Sequence, residues 1–340
     1  MRSNVRSMTS LRFRTSLQPV DASCIYRSGD SEDPRIGDIC VYDLQSLPEA
    51  PCVVAILGVP QDIGVERNGG RVGAAEAPAA IRRALTKLAP TAFLSALQSG
   101  ELALCDLGNI ETDGKTLEQI HDEHYDIVAQ LVRRGIVPIV LGGGHDCAWP
   151  TVRAISSDGQ PYGVINIDAH TDVRPLKDGR AHSGSPFRQM LDMPSSCLAP
   201  GGFVEFGIQS TGASAHHIAS VRQAGMHVMM LDDIRRDGIH AAWQRAMSHA
   251  AASGRTYVSV DMDAFASAYA PGVSAPAADG FAPHEVRACL TQAAASGSLI
   301  ALDIVEVNPR YDVDGRTAKL AAQLIADVIQ GLASTRGAKS

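Results

Sequence analysis

The sequence predicts an α/β fold built on a mainly parallel sheet with helices on both faces, and three observations carry that reading. Short β-rich apolar runs alternate with longer helical patterns through the middle of the chain, the order expected of strand–helix–strand units. Four of the runs end in acids or histidines, and ligands of parallel sheets bind outside the carboxyl ends of strands. No internal repeat, low-complexity tract or linker interrupts the pattern, and 340 residues can bury a sizeable core.

The expected strands are Val53–Gly58, Ile136–Leu141, Tyr162–Ile167, Phe203–Gly207, His227–Leu231, Arg255–Val260 and Ser298–Val305. The expected helices are Pro78–Leu88, Leu117–Arg134, Ala215–Ala224, His240–Ala252, Pro283–Ser296 and Thr317–Leu332. One catalytic domain over residues 35–335 is therefore expected, behind a loosely ordered segment at residues 1–34. The first residues hold Arg2, Arg6, Arg12 and Arg14 and no acid before Asp21. That composition suits either a short targeting segment or a tail, with Met8 as an alternative start.

Composition excludes several functions. A net charge of −7 without a basic stripe gives nucleic acid and anionic membranes nothing to bind. No apolar run reaches the length of a bilayer span. Seven cysteines without a CxxC pair, in a chain lacking a secretory leader, read as reduced thiols of a cytoplasmic protein. Cys147 stands two residues after His145 and reads as a small buried filler.

The strand ends carry the chemistry. Leu141-Gly-Gly-Gly-His145-Asp146 closes one run, Asp168-Ala-His170-Thr-Asp172 a second, Ser259-Val-Asp261-Met-Asp263 a third and Asp303-Ile-Val-Glu306 a fourth. Residues i and i+2 of an extended segment face one way, so each cluster can present its ligands together. Asp168, Asp172, Asp261 and Asp263 offer oxygens; His145 and His170 offer nitrogens. Six donors exceed one tetrahedral ion and suit two hard or borderline divalent ions sharing carboxylates. Four converging carboxylates without cations would repel, and burying even one costs several kcal/mol. The absence of thiols disfavours structural zinc and favours manganese.

GGGHD, DAHTD and SVDMD, in this order and spacing, resemble the three metal signatures of the ureohydrolase (arginase/agmatinase) superfamily over about residues 50–335. The resemblance implies a three-layer αβα sandwich around an eight-stranded parallel sheet, two manganese ions bridged by hydroxide, and often a symmetric homo-oligomer. It gives one ion His145, Asp168, Asp172 and Asp261, and the other Asp168, His170, Asp261 and Asp263, so that Asp168 and Asp261 bridge. It also makes Glu306 the group that orients the substrate cation and His182 the histidine that handles protons.

Within that family three features point past arginase. Asp263 is followed by Ala264-Phe-Ala-Ser267, so Ala266 lacks an acid, and Arg174 stands two residues after Asp172. The stretches His182–Arg188, Ala270–Pro276 and Glu306–Arg316 are similar to formimidoylglutamases. An acid-poor, arginine-bearing rim suits a small amidine carrying carboxylates, because guanidinium binds carboxylate bidentately. Arg174 is the first candidate for that contact, Arg188 the second and Arg71 a third. The expected reaction is hydrolysis of N-formimidoyl-L-glutamate to L-glutamate and formamide. The alternatives are an agmatinase or guanidino-acid hydrolase and, from another class, a non-catalytic metal-binding relative. His121 and His124, at i and i+3 among acids, read as a solvated helix face. His216, His217, His227, His240, His249 and His284 are read as lying outside the site.

Overall fold

A computed structural model describes residues 8–10, 17–42, 46–194 and 196–337. The arginine-bearing positions 2, 6, 12 and 14 lie outside the described residues. The strands are β1 (Met8–Ser10), β2 (Leu17–Gln18), β3 (Ser46–Pro48), β4 (Cys52–Gly58), β5 (Leu102–Ile110), β6 (Val137–Leu141), β7 (Tyr162–Ile167), β8 (Leu198–Ile208), β9 (His227–Met230), β10 (Thr256–Asp261) and β11 (Leu299–Val305). The helices are α1 (Ile36–Ile39), α2 (Ile63–Asn68), α3 (Ala77–Leu85), α4 (Leu94–Ser99), α5 (Leu117–Arg133), α6 (Ala148–Ser156), α7 (Pro186–Leu191), α8 (Ala215–Gln223), α9 (Leu231–Asp237), α10 (Ile239–Ala250), α11 (Pro283–Ala295) and α12 (Arg316–Gly337).

Nine strands form one sheet in the order β2-β5-β4-β6-β11-β10-β7-β8-β9, while β1 and β3 pair separately. All neighbours in the large sheet are parallel except β2, which runs antiparallel to β5. The parallel part thus has the eight strands that the resemblance implies, with a short ninth at the edge. Because β2 starts at Leu17, the chain joins the sheet well before residue 35.

Period-two alternation splits the core into two layers. On β4, Val54 and Ile56 face α3, α11 and α12, whereas Val53, Ala55 and Leu57 face the side of α5. Helix α12 buries Leu324, Ile325, Val328 and Ile329 on the first side. Helices α6 and α7 bury Val152, Ile155, Phe187 and Met190 on the second. Strand β5 was not among the expected strands because Asp106, Gly108 and Asn109 break its apolar run. The fold explains those residues. The Arg82 guanidinium, buried on α3, donates to both Asp106 oxygens at 2.8 Å, to the Gly108 carbonyl at 2.8 Å and to Asn109 Oδ1 at 2.5 Å. Helix α6 was missed because Pro150 falls in its first turn, where the lost N–H has no intrahelical partner anyway.

Arg82→Met is expected to destabilise the protein by about 3–5 kcal/mol, because it strands the Asp106 carboxylate in the interior. Denaturant unfolding measures this. An intact metal content beside the lower midpoint would place the damage in the core; a shift below about 1 kcal/mol would contradict it.

Candidate metal centre

The four strands with charged ends, β6, β11, β10 and β7, are contiguous in the sheet. Being parallel, they release their loops at one edge, so residues far apart in sequence meet there. His145 opens the turn after β6, Asp168 follows β7 directly, Asp261 is the last residue of β10, and Glu306 follows β11. Ligand atoms of His145, Asp168, Asp172 and Asp261 all lie within 4.8 Å of one another, and so do those of Asp168, His170 and Asp263. All six expected ligands are thereby brought together. Asp168 belongs to both groups, as expected of a bridge, whereas Asp261 is grouped with the first alone.

Simple strand alternation does not produce this convergence. The chain bends at Asp168–His170 and turns through a short 3-10 segment at Met262–Ala264. In each bend the leading aspartate accepts the amide two residues on: Asp168 Oδ1 from His170 at 2.7 Å, and Asp261 Oδ1 from Asp263 at 2.8 Å. Aspartate favours such turns, and each turns its other oxygen toward His145 Nδ1, that of Asp168 also accepting from Asn166 Nδ2 at 3.2 Å. Asp172 and Glu306 adopt left-handed backbone, at φ 44° and 63°, a conformation that side chains rarely hold unless the surroundings enforce it.

The donors fit cations. His145 Nδ1 is buried, lies 3.2, 2.9 and 3.1 Å from oxygens of Asp168, Asp172 and Asp261, and makes no hydrogen bond. Its other nitrogen is 2.9 Å from Ser259 Oγ, which donates its own proton to Asp303 Oδ1 at 2.6 Å. Ser259 can therefore only accept from His145 Nε2–H, and the Nδ1 lone pair is left pointing at the carboxylates. Asp303 thus sits inside β11 under the site rather than in the cleft, held also by the Tyr257 hydroxyl.

Electrostatics agree. Burial opposes a charge on His145, but Asp168, Asp172 and Asp261 overcome it and raise the group well above the imidazole range. The Asp263 charge raises His170 in the same way. Burial, then the charges of Asp263 and Asp168, push Asp261 well up; burial pushes Asp263 up to about 7. Asp168 goes down: burial opposes it, but the two histidines beside it, His145 and His170, prevail. Too much negative charge shares too little water here, a deficit that bound cations would remove.

A cleft of about 280 Å³ opens on this cluster, walled by Asn68, Arg71, Arg174, Ser183, Ser274 and Glu306. Glu306 Oε1 accepts the His145 amide at 2.9 Å, while Oε2 is buried without a partner. Burial first, and Asp261 second, raise the Glu306 pKa well above the usual range.

The remaining expectations divide. Arg174 lines the cleft and donates to Asn68 Oδ1 at 3.3 Å. Arg188 is not brought to it, since one helical turn away Asp192 holds the guanidinium at 2.6 Å. The Arg71 guanidinium is spent on the Val273 and Ser274 carbonyls and on the face of Tyr311. Ala266 is buried, its amide tied to the Phe281 carbonyl rather than set in the cleft wall. His182 is buried with both ring nitrogens engaged: Nε2 with the Pro175 carbonyl at 3.0 Å, Nδ1 with the Gly184 amide at 3.1 Å. In this conformation it braces its loop and does not face the cleft. His121 and His124 are buried, not solvated. Their positions continue the apolar stripe Leu117, Ile120, Ile127, Val128, Leu131 of α5, the signal that could have found them. Cys147 is buried as expected.

A parallel α/β sheet whose central strand ends hold two overlapping imidazole–carboxylate groups is the architecture of a two-metal hydrolase. The arginase-family profile matches residues 53–330, and the chain belongs to that family. It is 36% identical over 287 residues to the formimidoylglutamase of Aromatoleum aromaticum, covering 82% of this chain and 83% of that protein. It is 35% identical over 322 residues to that of Geobacillus thermodenitrificans, with 92% and 96% covered. Among solved structures, Trypanosoma cruzi formiminoglutamase with Mn2+2 superposes with a TM-score of 0.79 at 35% identity, covering 89% of this chain and 99% of that one. Bacillus subtilis formimidoylglutamase gives 0.80 at 25% identity, with 92% and 97% covered.

Two predictions follow from the ligand groups. Asp168→Ala, which removes a member of both groups, is expected to empty both positions, whereas His170→Ala should spare the first; elemental analysis of purified protein distinguishes them. The second concerns pH. The Asp263 carboxyl is raised from 3.8 to about 7, so in metal-free protein its charged form costs stability. That protein should lose stability as pH climbs from about 4 through about 7. Cations relieve the repulsion, so the melting-temperature gap between metal-loaded and chelator-treated protein should widen over that window. Thermal melts across the window check this; a gap that narrows with rising pH contradicts it.

Proposed function

We propose that this protein hydrolyses N-formimidoyl-L-glutamate to L-glutamate and formamide with two manganese ions held by His145, Asp168, His170, Asp172, Asp261 and Asp263. The observation that carries this reading is the polarity of the cleft. An unpartnered buried carboxylate, Glu306, lies beside the ligand cluster, and a guanidinium, Arg174, stands in the same wall. A substrate with a cationic amidine at one end and carboxylates at the other matches that order. The names of the similar proteins, formimidoylglutamase and formiminoglutamase, agree with it.

Glu306 accepts from the amidinium N–H groups through Oε2 and fixes the plane of the carbon to be attacked. Its φ of 63° and its bond from the His145 amide hold that oxygen in place. Arg174 binds a carboxylate of the glutamate portion, with Asn68 steadying its guanidinium. When bound, the metal pair lowers the pKa of water toward neutrality and polarises the centre that this water meets. With both His182 nitrogens committed, the proton for the leaving nitrogen falls to a cleft carboxylate, and Asp263 faces that space. Water adds to the amidine carbon, the bond to the glutamate nitrogen breaks, and formamide and the free amine leave.

Glu306→Gln should keep fold and metal but lose about 2.7–4 kcal/mol of barrier lowering, roughly a hundred- to thousandfold in kcat. Arg174→Ala should mainly raise KM, by an amount corresponding to about 1.5–3 kcal/mol, while Arg188→Ala should change neither constant. The test is kcat/KM for formimidoylglutamate beside arginine, agmatine and guanidino acids, with formamide, ammonia and urea assayed separately. Preference for agmatine or a guanidino acid, with urea as product, would replace the substrate and keep the hydrolase. Absence of turnover on every substrate would support the non-catalytic alternative.

A further inference from the structure

Asp146, the residue after His145, belongs to a buried polar cluster whose members are not among the residues that wall the cleft. Asp146 is fully buried, and its Oδ2 accepts from Gln61 Nε2 and from His121 Nε2, both at 2.8 Å. Gln61 and His121 are themselves each 3% exposed. Gln61 Oε1 accepts the Ile63 amide at 3.0 Å, which ties the cluster to the first residue of α2. The packing leaves no slack. A Cβ on Gly64 would stand 1.9 Å from Asp146 Oδ1, and one on Gly143 would stand 1.5 Å from the Gln61 carbonyl oxygen.

Helix α2 is what this cluster holds, and α2 leads straight into the cleft wall at Asn68, Gly69, Gly70 and Arg71. A second tie runs from α2 to α5, with the Arg67 guanidinium on the Glu118 carboxylate at 2.6 Å. From the other side the Ser183 amide donates to the Gly64 carbonyl at 3.0 Å, and Asn68 Nδ2 donates to Ser183 Oγ at 3.0 Å. Asn68 also meets Arg174. A buried carboxylate that loses a charge-assisted donor keeps its desolvation penalty, so removing His121 or Gln61 would free α2 to shift rather than open a harmless gap.

We infer that His121, Asp146 and Gln61 form a positioning network that sets α2, and through it the Asn68–Arg71 wall that receives the carboxylate end of the substrate. His121 acts through Asp146, so it governs substrate binding and not the ions or the chemical step. This builds on the proposed substrate only in naming which end of it the wall meets.

The experiment compares wild type with His121→Leu, which keeps the bulk and removes the donor, and His121→Gln, whose amide nitrogen can restore it. Amide hydrogen exchange is followed over residues 63–71 and, as a reference, over 256–261. In His121→Leu, exchange at 63–71 should quicken by about tenfold or more, with the reference strand unchanged and two ions retained. His121→Gln should return to within a few-fold of wild type. In turnover of formimidoylglutamate, His121→Leu should raise KM about tenfold with kcat within about threefold. Unchanged protection at 63–71 in a folded, metal-loaded His121→Leu protein would overturn the network. So would a uniform rise in exchange across both segments, which marks general destabilisation, or loss of kcat together with metal. Wild type inert toward formimidoylglutamate would sink the substrate assignment instead, and the exchange comparison would still decide the network.

Discussion

Like charge confined in a small, water-poor space is the constraint on which the rest of this structure depends. Asp168, Asp261 and Asp263 are almost completely buried at one sheet edge, with Asp172 and Glu306 beside them. No arrangement of apolar neighbours makes that favourable. The protein responds in layers. Two imidazoles share the carboxylates, aspartate-led bends fix which oxygen faces inward, and Ser259 with Asp303 fixes which nitrogen of His145 carries the proton. Everything left over is negative, and that surplus defines the place for divalent ions. The hydroxyl bond to Asp303 matters because a Ser259 free to donate to Nε2 would allow the tautomer with its proton on Nδ1, which has no lone pair to offer the cluster.

Much of this was legible in the sequence because parallel sheets place chemistry at strand ends. Seven strands and all six members of the imidazole–carboxylate cluster could be named from apolar runs and the acids and histidines that close them. Two of the residues that escaped share one property: their polarity answers a partner on another element, distant in sequence. Asp106 spoiled the pattern of β5 because its counterion, Arg82, lies on α3. His121 among acids looked solvated because its acceptor, Asp146, lies on another element. Arg188 is the opposite case: its partner, Asp192, is a near neighbour in sequence and is brought against it only by the helical turn of α7. Likewise the i, i+2 spacing of the ligands was informative, but for turns rather than for extended strand. Sequence spacing reports who can meet; it is silent on whether a local bond has already claimed the group.

The walls of the cleft have a different logic from its floor. The floor rests on strand ends, where sheet hydrogen bonds leave little freedom. The walls are short segments, α2 and the loop through Arg174 and Ser183, secured by side-chain bonds to each other and to α5. Members of a fold family can keep the floor and change the walls, so a metal centre by itself does not set the charge of the substrate.

The strand order carries a consequence for biosynthesis. Strands β6 and β7 are consecutive in the chain, yet β10 and β11 lie between them. A chain emerging from the ribosome therefore holds two unpaired inner edges, at residues 137–141 and 162–167, until residues 256–305 have been made. Those edges are apolar and open to foreign strands for that interval. Asp261 and Asp263 arrive with the inserting strands, so a nascent chain has only part of either ligand group. Metal acquisition must follow closure of the sheet, and chaperone protection would matter most just before it.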